Sequence, residues 1–177
     1  MSVIFVSGPY GVGKSTLCGE LSNLLNVPYY SAGDLISKKK GEIYGPHKKI
    51  LNVDFNQEIL IEEVNLLLRH ERVIILAGHL NLINDKSEIV SVDLHFFKQL
   101  GVSTIIVLIA DASTIKDNLY DRDHEIYSLQ LIKRLLHAEI KKAKCYSTKL
   151  NCGLIIHEMR YDDTDSMSCF EELNKIV

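Results

Sequence analysis

Gly8-Pro9-Tyr10-Gly11-Val12-Gly13-Lys14-Ser15-Thr16 decides how this chain is read, with the apolar run Val3-Ile4-Phe5-Val6 before it and Leu17-Cys18-Gly19-Glu20-Leu21-Ser22-Asn23-Leu24-Leu25 after it. The stretch fits G-x-x-x-x-G-K-[ST] at every defined position, between a strand pattern and a helix pattern. Gly8, Gly11 and Gly13 reach backbone angles that other residues resist, so successive N–H groups turn inward on a phosphate with no Cβ in the way. A helix beginning near Lys14 adds its positive dipole end and unpaired amides. Lys14 then reaches the terminal phosphates of a nucleoside triphosphate, and the Ser15 hydroxyl holds magnesium. The expected ligands are a nucleoside triphosphate and Mg2+, cradled by Gly8 to Thr16; the competing reading is a glycine-rich turn with no ligand.

The composition sets the scale of the rest. With 177 residues, 46% of them hydrophobic, the chain is expected to form one domain over 1–177 with a single sizeable core. A net charge of −3 provides no global basic field, so a nucleic-acid-coating or membrane-surface protein is not suggested and a small-molecule partner is favoured. Cys18, Cys145, Cys152 and Cys169 lie far apart with no C-x-x-C pair, and read as reduced thiols rather than zinc ligands. The N-terminal apolar run is too short for a signal peptide or a membrane span, which makes the cytoplasm the expected compartment.

Outward from the glycine loop, strand-like and helix-like stretches alternate to the end. Val27-Pro28-Tyr29-Tyr30-Ser31 reads as a short strand, and Ala32-Gly33-Asp34 opens a helix. The segment 36–52 is the one basic cluster, with Lys38, Lys39, Lys40, His47, Lys48 and Lys49 around the turn signals Gly41 and Gly45-Pro46. Residues 54–70 carry helical spacing, 73–76 a buried strand, and a loop with Gly78-His79 and Asn84-Asp85 leads to a helix over 93–100 that stops at Gly101. Another buried strand covers 103–110, Asp111 closes it, and a helix follows from Ile115 to Tyr120. Asp121-Arg122-Asp123-His124-Glu125 reads as a charged break before Ser128, which caps a long amphipathic helix through Ala143. A final strand over 153–157, the acidic loop at 162–165 and a closing helix through Val177 complete the chain.

Five short apolar strands separated by helices call for an α/β fold, a five-stranded parallel sheet with helices on both faces. Ligands of such sheets lie at the carboxyl ends of the strands, so the glycine loop, Asp34, Gly78-His79 and Asp111 are expected on one rim.

Four landmarks, in order, resemble the nucleoside monophosphate kinases, the adenylate-kinase-like group of P-loop NTPases. They are Gly8 to Thr16, Tyr30-Ser31-Ala32-Gly33-Asp34-Leu35, Gly78-His79-Leu80, and Arg122-Asp123 followed by Lys133-Arg134-Leu135. The overall look is closest to the compact archaeal and nuclear adenylate kinases and to small bacterial ATP-binding proteins of the same build. The resemblance implies transfer of the γ-phosphoryl of ATP to a nucleoside monophosphate or similar small phosphorylated acceptor. It further implies an acceptor-binding helical segment at about 33–70, a short lid at about 120–127, and Lys14, Arg122 and Arg134 around the transferred phosphoryl group; Asp34, at a strand end that faces the ligand, completes the candidate catalytic set by ordering magnesium or the acceptor. Three positions depart from the family: Ala77 stands where an acid usually precedes the Gly-His turn, Ser37 with Lys38-Lys39-Lys40 stands where an arginine usually grips the acceptor, and the lid carries one arginine against three acids.

Two alternatives stay open. A kinase for a hydroxyl acceptor, a nucleoside or a polynucleotide end, needs a carboxylate base, for which Asp34 is the candidate, and the lysine-rich stretch then holds a nucleic acid backbone. A slow ATP-binding switch subunit that acts through a protein partner is motivated by Ala77 and the acidic lid. For single residues the plainer roles are a solvated face for Lys38 to Lys49, a turn hydrogen bond for His79, helix caps for Asp34 and Asp111, and a surface cation for Arg134.

Overall fold

A computed structural model describes residues 1–41, 53–84, 86–124 and 127–176. Strand β1 (Ser2–Ser7) sends alternate side chains to opposite faces: Ile4 and Val6 enter one apolar cluster, Val3 and Phe5 another. A strand buried on both sides has to be apolar throughout, which is why the run before the glycine loop does not alternate with polar residues.

After β1 the chain continues through α1 (Lys14–Leu25), β2 (Tyr29–Ser31), α2 (Ala32–Lys40), α3 (Val53–Leu67), β3 (Val73–Ala77), β4 (Asn81–Ile83), β5 (Ile89–Ser91), α4 (Leu94–Gln99), β6 (Val102–Ile109), α5 (Ala112–Asp123), α6 (Leu129–Leu150), β7 (Gly153–Glu158) and α7 (Asp165–Ile176). Five strands form a parallel sheet in the order β2-β3-β1-β6-β7, while β4 and β5 pair separately and antiparallel. Phe5 on β1 registers with Leu76 on β3 and with Ile105 on β6. On one face Leu17 and Leu21 of α1, Ile115 and Leu119 of α5 and Leu173 of α7 cover the sheet. On the other, Leu60 and Val64 of α3, Phe96 and Phe97 of α4 and Tyr146 of α6 do so, with Phe97 edge-on to Phe5 at 5.1 Å. The expected fold is therefore present, a five-stranded parallel sheet flanked by helices.

Local chemistry sets the element ends. Ser31, Asp93, Asp111 and Ser128 cap α2, α4, α5 and α6 by accepting from the backbone N–H of Asp34, His95, Ser113 and Leu131. Three boundaries differ from expectation. The charged residues 121–123 do not break the chain but finish α5, because its stop comes at His124 in the left-handed conformation (φ 56°). Helix α6 runs on to Leu150, since Tyr146 and Leu150 extend the same apolar face past Ala143. The segment after Gly78-His79 holds the β4–β5 hairpin, whose connection is shaped by Asn84 Oδ1 accepting from Lys86 N at 3.0 Å and Glu88 N at 2.9 Å.

His47, Lys48 and Lys49 of the basic cluster, its Gly45-Pro46 turn, Asp85, Glu125 of the charged stretch and Val177 lie outside the described residues. The four cysteines are free thiols, and among the described residues no helix is long and apolar enough to cross a membrane.

Candidate functional site

The glycine loop turns where the sequence requires it. Gly8 has φ 147°, and a Cβ there would sit 2.6 Å from the Leu108 carbonyl oxygen; Gly13 has φ 95° and is the left-handed residue from which α1 starts. No side chain caps α1, so its first amides stay available to an anion. Lys14 Nζ folds back to donate to the carbonyls of Gly8 and Pro9, each at 2.9 Å, which holds the ammonium over the loop. From α5, Asn118 Nδ2 donates to Gly11 O at 3.0 Å and fixes the loop from its outer side.

The loop opens into a cavity of about 890 Å³, at the upper end of the roughly 300–1,000 Å³ typical of small-molecule sites. Tyr10 to Thr16 form one wall, Asp34 and Ser37 of α2 with Asn56 and Gln57 of α3 another, and Ala77, Gly78 and His79 the floor between them. Asn118, Arg122 and Tyr161 line the outer end. Tyr10 and His79 stack across the floor with ring centroids 4.1 Å apart. Burial, reinforced by the nearby Glu139 carboxylate, pushes the Tyr10 phenol up to about 12, so it remains a neutral hydroxyl.

Glu139 on α6 was not legible as a site residue. Its side chain is 0% exposed, and its carboxylate accepts from Leu80 N at 3.3 Å, Asn81 N at 2.9 Å and Asn81 Nδ2 at 3.4 Å. Burial raises the affinity of this carboxyl for a proton, against the opposing pull of the Asn81 and Leu80 N–H groups and the Lys14 charge. Its signal in the sequence is an acid in register with Leu135 and Ala143 along the apolar stripe of the helix.

A second buried pair shapes the outer end. His157 Nε2 lies 2.9 Å from Asp165 Oδ1, and the same carboxylate accepts from Arg160 N at 3.0 Å and Tyr161 N at 2.8 Å. Burial pushes the Asp165 carboxyl up, but the bonds from Arg160 N, His157 and Tyr161 N outweigh it and hold the carboxyl below the usual aspartate range. The bonded turn leaves Tyr161 in the left-handed conformation (φ 60°) beside Gly13.

The residues expected from sequence fall as follows. Tyr10 to Thr16, Asp34 and Arg122 line the cavity, while Gly8 and Pro9 supply the carbonyls that hold Lys14. Arg122 sits in the last turn of α5 rather than in a loop, and Arg134 is exposed on α6 away from the lining residues. Asp111 caps α5 through Ser113. Two lysines of α2 face α3: Lys39 Nζ pairs with Glu63 Oε1 at 2.9 Å and Lys40 Nζ lies 5.3 Å from the centre of the Phe55 ring, while Lys38 is exposed. Ser37 Oγ donates to Gly33 O at 2.8 Å.

Residues 7–133 match the model of a family of AAA domains. No curated protein matches the chain in sequence. Among solved structures, a shikimate kinase from Bacteroides thetaiotaomicron superposes with a TM-score of 0.58 and 18% identity over 98% of each chain. A gluconokinase from Sinorhizobium meliloti 1021 superposes with a TM-score of 0.58 and 11% identity, over 98% of this chain and 92% of that one. A shikimate kinase from Acinetobacter baumannii in complex with shikimate gives 0.58 and 16% identity, over 99% and 92%. At these identities the likeness is one of fold.

Proposed function

The chain belongs to the AAA domain family, and from that premise we propose that it is an ATP-dependent kinase for a small-molecule acceptor. The observation that carries this reading is the continuity of one cavity from the glycine loop to Asp34, Asn56 and Gln57, which leaves room for an acceptor beside the terminal phosphate. The names of its fold neighbours, shikimate kinases and a gluconokinase, support the same reaction class.

Phosphoryl transfer needs alignment and charge neutralisation more than covalent help from the protein. The α1 amides and Lys14 bind the β- and γ-phosphates, and Arg122 draws charge from the outer end. The donor set fits a magnesium ion that takes most of its oxygens from the triphosphate. Ser15 opens on the cavity and would hold the ion, and the described residues form no cluster of three carboxylate, histidine or cysteine ligands that would cage one by themselves. When bound, magnesium neutralises charge on the phosphates. Tyr10 packed against His79 at the floor leaves an apolar surface there that would help keep out water, which otherwise competes as acceptor.

Two acceptor classes follow. A nucleoside monophosphate, the acceptor the adenylate-kinase resemblance implies, presents a phosphate that is already a nucleophile and asks for cations on the acceptor wall. A hydroxyl acceptor asks for a carboxylate. The second is favoured by Asp34 on that wall and by the engagement of Lys39 and Lys40 with α3.

ATP consumption with magnesium across a panel of small acceptors tests the proposal, with ADP, phosphorylated products and free phosphate resolved. Acceptor-dependent ADP formation that Lys14→Ala lowers at least about 100-fold is expected, in line with removal of one transition-state charge partner. Slow phosphate release that no acceptor changes would overturn it and point to the switch-subunit alternative.

A further inference from the structure

The acceptor wall has a chemistry of its own. Asn56 is 6% exposed, lines the cavity, and its Oδ1 meets no hydrogen-bond partner among the described residues. A buried amide oxygen without a partner costs free energy that a ligand donor recovers. Gln57 adds a second amide beside it, and Leu60, Leu82, Val92 and Phe96 supply an apolar surface of the kind that takes a flat ring.

The charges on this wall are as telling as its amides. Among the described residues, the cations that line the cavity are Lys14 and Arg122, and both belong to the phosphate side. Arg122 lies on α5, whose Ile115 and Leu119 pack on the face of the sheet opposite to Leu60 of α3. Asp34 gives the acceptor wall a negative charge, Lys39 is paired with Glu63, and Ser37 spends its hydroxyl on Gly33. Among the described residues, a phosphate or carboxylate seated between Asp34 and Asn56 meets an anion and two neutral amides.

We propose that the acceptor is an uncharged molecule with a flat ring, a hydrogen-bonding edge and a free hydroxyl, a nucleoside in chemical class, gripped at its edge by Asn56 and Gln57 with its hydroxyl toward Asp34. The inference rests on the kinase reading above and adds the substrate class. In the transfer step the acceptor oxygen bonds to the γ-phosphorus of ATP. The bond from that phosphorus to the β,γ-bridging oxygen breaks, its electron pair leaving with ADP, and the hydroxyl proton passes to the Asp34 carboxylate.

The test uses the full chain with ATP and magnesium against ribo- and deoxyribonucleosides, the matching monophosphates, shikimate and gluconate, with products identified by mass spectrometry. A nucleoside monophosphate product is expected. Asn56→Leu and, separately, Gln57→Leu should each raise the nucleoside KM about tenfold or more, the effect of losing one buried hydrogen bond; the Gln57 variant serves if the Asn56 variant does not fold. Transfer only to monophosphates or to the two acids overturns the substrate class and leaves the kinase reading standing. ATP binding by calorimetry with no nucleoside product, or an unchanged nucleoside KM in both variants, also overturns it. Absence of ATP binding removes the kinase reading itself, and the substrate class with it.

Discussion

Glu139 Oε1 stands 2.9 Å from the backbone nitrogen of Asn81, and by that bond α6 grips the turn that bears His79. Asn81 Oδ1 in turn accepts from Ser91 Oγ at 2.8 Å, which ties β4 to β5, and His79 stacks on Tyr10 of the glycine loop. One buried carboxylate thus sets the height of the cavity floor.

Replacing that carboxylate by an amide turns a donor group toward donors. Glu139→Gln should cost about 1–3 kcal/mol of stability, read as a lower urea midpoint. The wild-type protein should also carry a pH slope that the variant lacks. Because the folded-state pKa of Glu139 is raised, the folded state keeps a proton that the unfolded state has released above the ordinary glutamate range, so stability falls as pH rises through that window.

Asp165 titrates with the opposite sign. Its folded-state pKa is lowered, so its contribution is complete above the ordinary aspartate pKa and is lost as pH falls through the lowered value. Asp165→Asn should lose about 1–3 kcal/mol at neutral pH, for the bonds to Arg160 N, Tyr161 N and His157 that an amide satisfies only in part. The gap between variant and wild type should close in acid, as measured by urea unfolding at stepped pH. Because the same bonds set Tyr161 beside Gly13, ATP titrated by calorimetry should bind the variant more weakly.

At Gly8, Ala brings a Cβ to 2.6 Å from the Leu108 carbonyl oxygen and forces a left-handed φ on an L residue. Gly8→Ala should lower stability by about 1–3 kcal/mol in thermal unfolding and weaken ATP binding, since the carbonyl that holds Lys14 belongs to the same residue.

The thiols should separate by reactivity. Burial pushes Cys18 and Cys169 up to about 12, so both stay protonated at pH 8, whereas Cys145 is exposed. Titration of the native protein with an aromatic disulfide should label Cys145 first and leave Cys18 and Cys169 until denaturant is added.

How far the sequence carried depends on how local each cause is. The glycine loop was legible because strand, turn and helix signals adjoin within one stretch, and the sheet because Val73 to Ala77 and Ile105 to Ile109 are apolar on both faces. The β4–β5 hairpin was not, because its three-residue strands show no periodicity and lie among the turn signals Gly78-His79 and Asn84-Asp85, which read as a loop. Charge alone suggested a break over residues 121–125, yet exposed charged residues such as Asp121 and Arg122 continue a helix until the left-handed His124 ends it. Composition placed lysines near the acceptor, whereas their direction depends on Glu63 and Phe55, residues of a different helix. Glu139 stayed hidden because its partners lie 58 and 59 residues away in the chain.

The sheet order gives the two walls of the cavity unequal footing. β1, which delivers the glycine loop, is hydrogen-bonded along both edges, to β3 and to β6, so the triphosphate meets a surface that opens only when the whole sheet does. The acceptor wall hangs from β2, an edge strand of three residues paired on one side alone. Under the proposed kinase reading, the entropic cost of ordering is therefore expected on the acceptor side rather than at the glycine loop.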